Sequence, residues 1–213
     1  DIANSLRAQT SALLAQNKLD IDQAHAKGLT AAAIDRLSLN EARIEAMAKG
    51  LEIIAALPDP VGRTLSSATR PNGLVIEKIS VPLGVIGMIY EARPNVTIDA
   101  AGLCLKSRNA VILRSGSECL GTSIALCEIF KSVLNHHGFP QGCVDIIPTR
   151  DRELVGEMLR GHEFIDVLIP RGGKSLIERV QNEASMPVFS HLDGICHVYV
   201  HPDWFKKTLP DDA

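Results

Sequence analysis

From residue 83 onward, strand-length apolar runs and stretches of helical length take turns. "LGVIGMIY", "NAVILR", "CVDIIPT" and "IDVLIP" alternate with "NVTIDAAGLCLKS", "SECLGTSIALCEIFKSVLNHHG", "DRELVGEMLRG" and "GKSLIERVQNEA". A continuous apolar strand needs cover on both faces, and the intervening helices supply it. The alternation therefore predicts an α/β fold with a doubly wound parallel sheet. "PVFSH" and "CHVYVH" read as two further strands.

The residues before this pattern are helical. Residues 2–17 read as one helix with Asn17 near its end, and residues 19–27 as a short second helix stopped by Gly28. Thr30 is a candidate N-cap for "AAAIDRL". Ser38, with Glu41 three residues on, forms a capping box that opens a helix running to about Leu57. Residues 58–73, with Pro58, Pro60, Gly62, Pro71 and Gly73, read as turns, and "GLVIEKIS" as a strand. Residues 1–57 are thus expected to form a helical N-terminal arm packing on a cofactor domain, and residues 58–213 a dinucleotide-binding α/β domain.

The chain has 213 residues, a formal net charge of -3 and 4% aromatic residues. No basic stripe points to nucleic acid, and too few aromatics are present for base stacking. No apolar run approaches the ~18 residues of a membrane span, and "DIANSLRAQT" does not read as a signal peptide. The five cysteines are odd in number and lack C-x-x-C spacing. They read as reduced, cytoplasmic thiols. The chain begins without Met, and both ends look cut from something longer.

Three strand ends carry the chemistry. In a parallel sheet all three lie on one edge, where α/β folds bind ligands. Arg171-Gly172-Gly173-Lys174-Ser175 joins a strand to a helix. Its glycines let backbone approach a ligand, and the helix N-terminus offers free N–H groups to an anion. It is neither a Walker A loop nor G-x-G-x-x-G, and a tight turn with solvated cations is the alternative. Arg114-Ser115-Gly116-Ser117 ends "NAVILR". An arginine where an acid usually reads the ribose suits a 2′-phosphate; the alternative is a surface arginine. Arg93 and Asn95, in Glu91-Ala92-Arg93-Pro94-Asn95, read as an anion clamp and an oxyanion donor. The alternative there is a Pro-containing turn whose Asn95 caps the next helix.

Cys104 and Cys127 fall on apolar helix positions and read as buried thiols. Cys119 and Cys143 have no base beside them in sequence. Cys196 and His197 are strand neighbours and point to opposite faces. His136 and His137 lack a third ligand in register, so no metal site is expected.

"DPVGRTLSSATRPNGLVIEKISVPLGVIGMIYEARPNVTIDAAGLCLKSRNAVILRSGSE", "IDVLIPRGGKSLI", "DGICHVYV" and "DRLSLNEARIEAMAKGL" together resemble the γ-glutamyl phosphate reductases of the aldehyde dehydrogenase superfamily. The resemblance implies a dinucleotide-binding domain, a catalytic domain and a small oligomerisation element. It implies NADPH-dependent reduction of L-glutamyl 5-phosphate to L-glutamate 5-semialdehyde, in proline biosynthesis, through a cysteine thioester. It carries the oxyanion role to Asn95 and substrate contact to Arg93. The adenosine ribose goes to Arg114, Ser115 and Ser117, and the pyrophosphate to Gly172, Gly173 and Lys174. A glutamate 5-kinase partner and a homo-oligomer of the full-length enzyme are also implied. The family's nucleophilic cysteine motif has no counterpart in these residues. The alternative reading is therefore an inactive NADP-binding fragment, or an interaction module lacking the catalytic thiol.

Overall fold

The computed structural model describes residues 1–151, 153–190, 199 and 201. Four helices come first: α1 (Ile2–Ala8), α2 (Thr10–Ala26), α3 (Ala31–Leu37) and α4 (Glu41–Ala56). Two strands follow, β1 (Thr64–Thr69) and β2 (Val75–Ile79). The alternating region contains β3 (Val85–Tyr90), α5 (Asn95–Lys106), β4 (Ala110–Arg114), α6 (Leu120–His136), β5 (Val144–Ile146), α7 (Glu153–Arg160), β6 (Val167–Arg171) and α8 (Lys174–Glu183). Among the described residues no helix is long and apolar enough to cross a membrane.

Three local expectations are corrected. The first helical break falls at Gln9, and α2 runs unbroken through Asn17. Asn17 does not end the helix because its amide bonds elsewhere: Nδ2 donates to Leu37 O, and Oδ1 accepts from Leu39 N at 2.7 Å. Asn40, not Ser38, caps α4, its Oδ1 accepting from Arg43 N at 2.8 Å. The Ser38 hydroxyl instead closes α3 by donating to Ile34 O. The Thr30 cap on α3 is present. The turn-rich stretch also holds a strand. Thr64–Thr69 pairs antiparallel with Val75–Ile79 across a Pro71-Asn72-Gly73 turn, closed by Gly73 N donating to Arg70 O. Every residue of this ribbon is exposed, so "GLVIEKIS" pairs outside the main sheet.

The main sheet has the order β5-β4-β3-β6, with all pairs parallel. Side chains alternate between its faces. Ile86 and Tyr90, with Val111 and Leu113, face a core shared with α5 and α6. Ile89 and Leu168, with the half-buried Ile112, face α7 and α8. These two cored faces are those of a doubly wound sheet. "PVFSH" contributes a single parallel bridge, Val188 beside Leu168. Of "CHVYVH" only Tyr199 and His201 lie within the described residues.

The arm is built into the same core. Leu6, Leu13, Ile44 and Met47 are buried in the cluster that holds Ile86 and Val111. Full burial of one such side chain stabilises by about 1.5–3 kcal/mol. A buried polar network fixes the arm's position. Asp20 Oδ2 accepts from both Thr122 N and Thr122 Oγ1 at 2.7 Å, and Asn17 Nδ2 donates to the same hydroxyl oxygen at 3.2 Å. Asp20 thus caps α6 from another helix, where negative charge suits the dipole. A Cβ added at Gly121 would come within 2.9 Å of the Asp20 carboxylate, so a side chain there would push that carboxylate off its place.

Removing the Asp20 carboxylate leaves the buried N–H and hydroxyl of Thr122 without their acceptor, a loss worth about 2–4 kcal/mol. Asp20→Ala is expected to lower unfolding stability by that amount in urea denaturation, and Asp20→Asn by roughly half of it, since an amide oxygen still accepts. Equal stability of Asp20→Ala and the unsubstituted chain would refute the inter-helix cap.

Candidate functional site

The chain winds outward from β3 to β4 and β5, then returns to place β6 on the other side of β3. The reversal creates a switch point between β3 and β6, and a crevice opens there at the carboxyl ends of the strands. Register brings Ile89 beside Arg114 and Tyr90 beside Arg171, so the three chemistry-bearing strand ends share one edge. A cavity of ≈ 740 Å³ occupies the switch point. Tyr90, Glu91, Arg93, Arg171, Gly172 and Gly173 are among its lining residues.

Glu91 crosses this crevice. Its backbone N–H donates to Arg171 O at 3.1 Å, continuing the β3–β6 ladder one step past Tyr90. Its side chain then turns to the N-terminus of α8, where Oε1 accepts from Gly173 N at 2.9 Å. The N–H that the sequence assigns to a phosphate therefore holds a carboxylate. Glycine at 172 makes room for it, because an added Cβ would sit 2.8 Å from the Glu91 carboxyl group. Lys174 begins α8 and lies 3.8 Å from Glu178, on the exposed side of the turn.

Arg93 follows on a short fixed loop. Its N–H donates to Glu91 O at 2.6 Å, and its carbonyl accepts from Val96 N. Arg93 is exposed and lines two adjoining cavities, the one above and a second of ≈ 510 Å³ between the arm and the start of α5. Asn95 lines the second cavity as the first residue of α5. It does not cap that helix; Nδ2 donates forward to Asp99 Oδ2 at 3.0 Å. Burial raises the Asp99 carboxyl pKa, opposed by the Asn95 amide and by Arg171. Beneath the loop, the buried Tyr90 hydroxyl bonds Thr97 Oγ1 at 2.7 Å, and burial keeps it protonated.

The β4 end is arranged differently. Arg114 is 5% exposed and turned inward, donating to the carbonyls of Ser115 and Asp151. Ser115 is buried, and its hydroxyl has no hydrogen-bond partner among the described residues. The Ser117 hydroxyl donates to Glu118 Oε1 at 2.7 Å. The structure thus brings Arg93 together with Gly172 and Gly173, and Arg93 with Asn95. It keeps Arg114, Ser115 and Ser117 apart from the lining of the switch-point cavity.

Three contributors were not singled out in the sequence. Glu91 is a polar residue directly after an apolar strand, which is a usable signal. Asp99 lies one helical turn from Asn95, so the pair was open to i,i+4 reasoning. Arg36 of α3 lines both cavities, and nothing local marks it.

Residues 6–204 match the model of the aldehyde dehydrogenase family. The γ-glutamyl phosphate reductase of Paramagnetospirillum magneticum is 58% identical over 198 residues, 93% of this chain and 47% of that protein. That of Rhodospirillum rubrum is 55% identical over 199 residues, again 93% and 47%. The chain spans about half the length of the curated relatives it matches. Among solved structures, the γ-glutamyl phosphate reductase of Thermotoga maritima superimposes with a TM-score of 0.85 at 40% identity, over 88% of this chain and 45% of that one. The Saccharomyces cerevisiae enzyme gives 0.83 at 32% identity, over 92% and 50%. The motif resemblance thus extends over nearly all of the sequence and over the architecture: the chain belongs to the aldehyde dehydrogenase family.

Proposed function

We propose that this chain is the cofactor-binding half of a reductase that converts L-glutamyl 5-phosphate to L-glutamate 5-semialdehyde and phosphate, with NADPH, in proline biosynthesis. The observation that supports this most is the Gly173 N–H at the switch point, which already holds an anion in the Glu91 carboxylate. A helix N-terminus that binds one anion in the mouth of a parallel sheet fits a dinucleotide pyrophosphate once Glu91 turns away. A nicotinamide cofactor bound there supplies the hydride. Gly172, Gly173 and Lys174 hold the pyrophosphate. Ser115 and Ser117 meet the ribose, and Arg114 reads a 2′-phosphate by releasing its two carbonyls. Arg93 meets the anionic substrate. Asn95 exchanges Asp99 for the developing oxyanion.

The exposed β1–β2 ribbon serves as the oligomerisation element of a homo-oligomer. A glutamate 5-kinase supplies the acyl phosphate, and the reaction takes place in the cytoplasm.

A second reading concerns residues 1–213 alone: a module that binds NADP and turns nothing over. The state of the thiols favours it. Burial pushes Cys104 up to about 11 and Cys127 up to about 12, and raises Cys119 as well. A thiol attacks as its thiolate, and these three are protonated at neutral pH. Cys196 lies outside the described residues.

In the product of the complete reading frame, Arg114→Ala is expected to weaken NADPH relative to NADH by about tenfold or more, the scale of a charged hydrogen bond. Fluorescence titration with each cofactor measures this. An unchanged preference would leave Arg114 as a strut between β4 and the segment before α7.

Purified residues 1–213 are expected to show no semialdehyde-dependent NADP reduction. Native iodoacetamide labelling at neutral pH should spare Cys104, Cys119 and Cys127 and reach the half-buried Cys143. The raised folded-state values favour the protonated thiols. Stability is therefore retained below the ordinary thiol pKa and falls as pH rises from about 9 toward 12. Cysteine-dependent turnover by this chain would overturn the second reading.

A further inference from the structure

We propose that Arg36 and Arg93 together form the clamp for the phosphoryl group of the acyl phosphate, and for inorganic phosphate in the reverse direction. The proposal rests on the reductase reading above and assigns one part of its substrate to two side chains. Both residues line both cavities: the ≈ 740 Å³ cavity at the switch point and the ≈ 510 Å³ cavity between the arm and the start of α5. They therefore stand where the two spaces meet. In a reduction that passes through a thioester, thiolate attack breaks the bond between the acyl carbon and the phosphate oxygen, phosphate leaves, and hydride then reaches the same carbon. Departing phosphate and nicotinamide therefore flank one acyl carbon, which places the phosphoryl group at the junction of the two spaces.

Charge points the same way. The carboxylates lining the two cavities already have donors. Asp35 is paired with Arg43 at 2.8 Å, Asp99 accepts from Asn95, and Glu91 accepts from Gly173 N. Arg43 also spends donors on the carbonyls of Asp35 and Ser38. The linings of the two cavities carry four arginines, Arg36, Arg43, Arg93 and Arg171, against these three carboxylates, so the shared mouth is cationic on balance. Planar guanidinium forks suit a phosphoryl group better than point charges do.

Both arginines are also set on fixed backbone. The Arg93 loop is tied at Glu91 O and Val96 N. Arg36 stands in the last turn of α3, whose end is closed by Ser38 bonding Ile34 O and by Asn17 bonding Leu37 O. The arm thus contributes a binding residue directly, in addition to packing on the sheet.

The test uses the product of the complete reading frame, assayed in the reverse direction with semialdehyde, NADP and inorganic phosphate. Arg36→Ala and Arg93→Ala are each expected to raise KM for phosphate about tenfold, while KM for NADP stays within about twofold. Arg36→Lys should recover part of the loss, since it keeps the charge and loses the fork. Unchanged phosphate KM in both alanine variants would overturn the clamp. A rise in KM for NADP instead would show that the guanidiniums hold the cofactor's phosphates, and would also overturn it. An unsubstituted enzyme that does not turn over would defeat the reductase reading itself, and the clamp with it. Thermal melts of the variants should match the unsubstituted protein, because both side chains are exposed.

Discussion

The buried carboxylate of Asp20, bonded twice to Thr122 at the start of α6, is the contact on which the placement of the site depends. A charge 2% exposed to solvent is tolerable only with its acceptor capacity used, and α6 offers unpaired N–H groups at that point. Asn17, one turn earlier on α2, ties the same hydroxyl to the α3–α4 turn. One network therefore joins α2, the α3–α4 turn and α6. Through it the arm is fixed against α6, and Arg36 lines the same cavity as Tyr90 and Glu91 at the end of β3.

The central strand supplies the rest. β3 is bracketed by β4 and β6, so its end is flanked by both other chemistry-bearing loops. Continuation of its ladder to Glu91 delivers a carboxylate to α8, and the loop that follows brings Arg93 into the lining of the same cavity. The Glu91 contact fills the anion position of the turn from within the protein. It satisfies an N–H that would otherwise face only water. Three arginines, Arg36, Arg93 and Arg171, and a helix N-terminus surround one mouth.

Much of this was legible from periodicity. Runs such as "VIGMIY" and "AVILR" are short, continuous and apolar, a pattern that belongs to buried parallel strands, and their ends then share an edge by topology alone. Local rules failed where two residues competed for one role. Ser38 satisfies a capping box in sequence, yet its hydroxyl turns back to Ile34 O and leaves the cap to Asn40. Asn17 has the chemistry of a helix end, and tertiary partners hold it inside α2 instead. β1, "TLSSAT", lacks an apolar face because both of its faces meet solvent, so the period that marks a buried strand is missing. Arg36 was invisible for a different reason: its place at the site comes from the packing of α3 against distant elements, and no local pattern encodes that.

The central claim is that cofactor and acyl phosphate meet at the β3–β6 switch point, under the arm. A crystal structure of the full reading-frame product with NADP and inorganic phosphate tests it most directly. The account predicts pyrophosphate at Gly172 and Gly173 with Glu91 displaced from Gly173 N, and phosphate between Arg36 and Arg93. Cofactor bound elsewhere, with Glu91 still seated on Gly173 N, would contradict it.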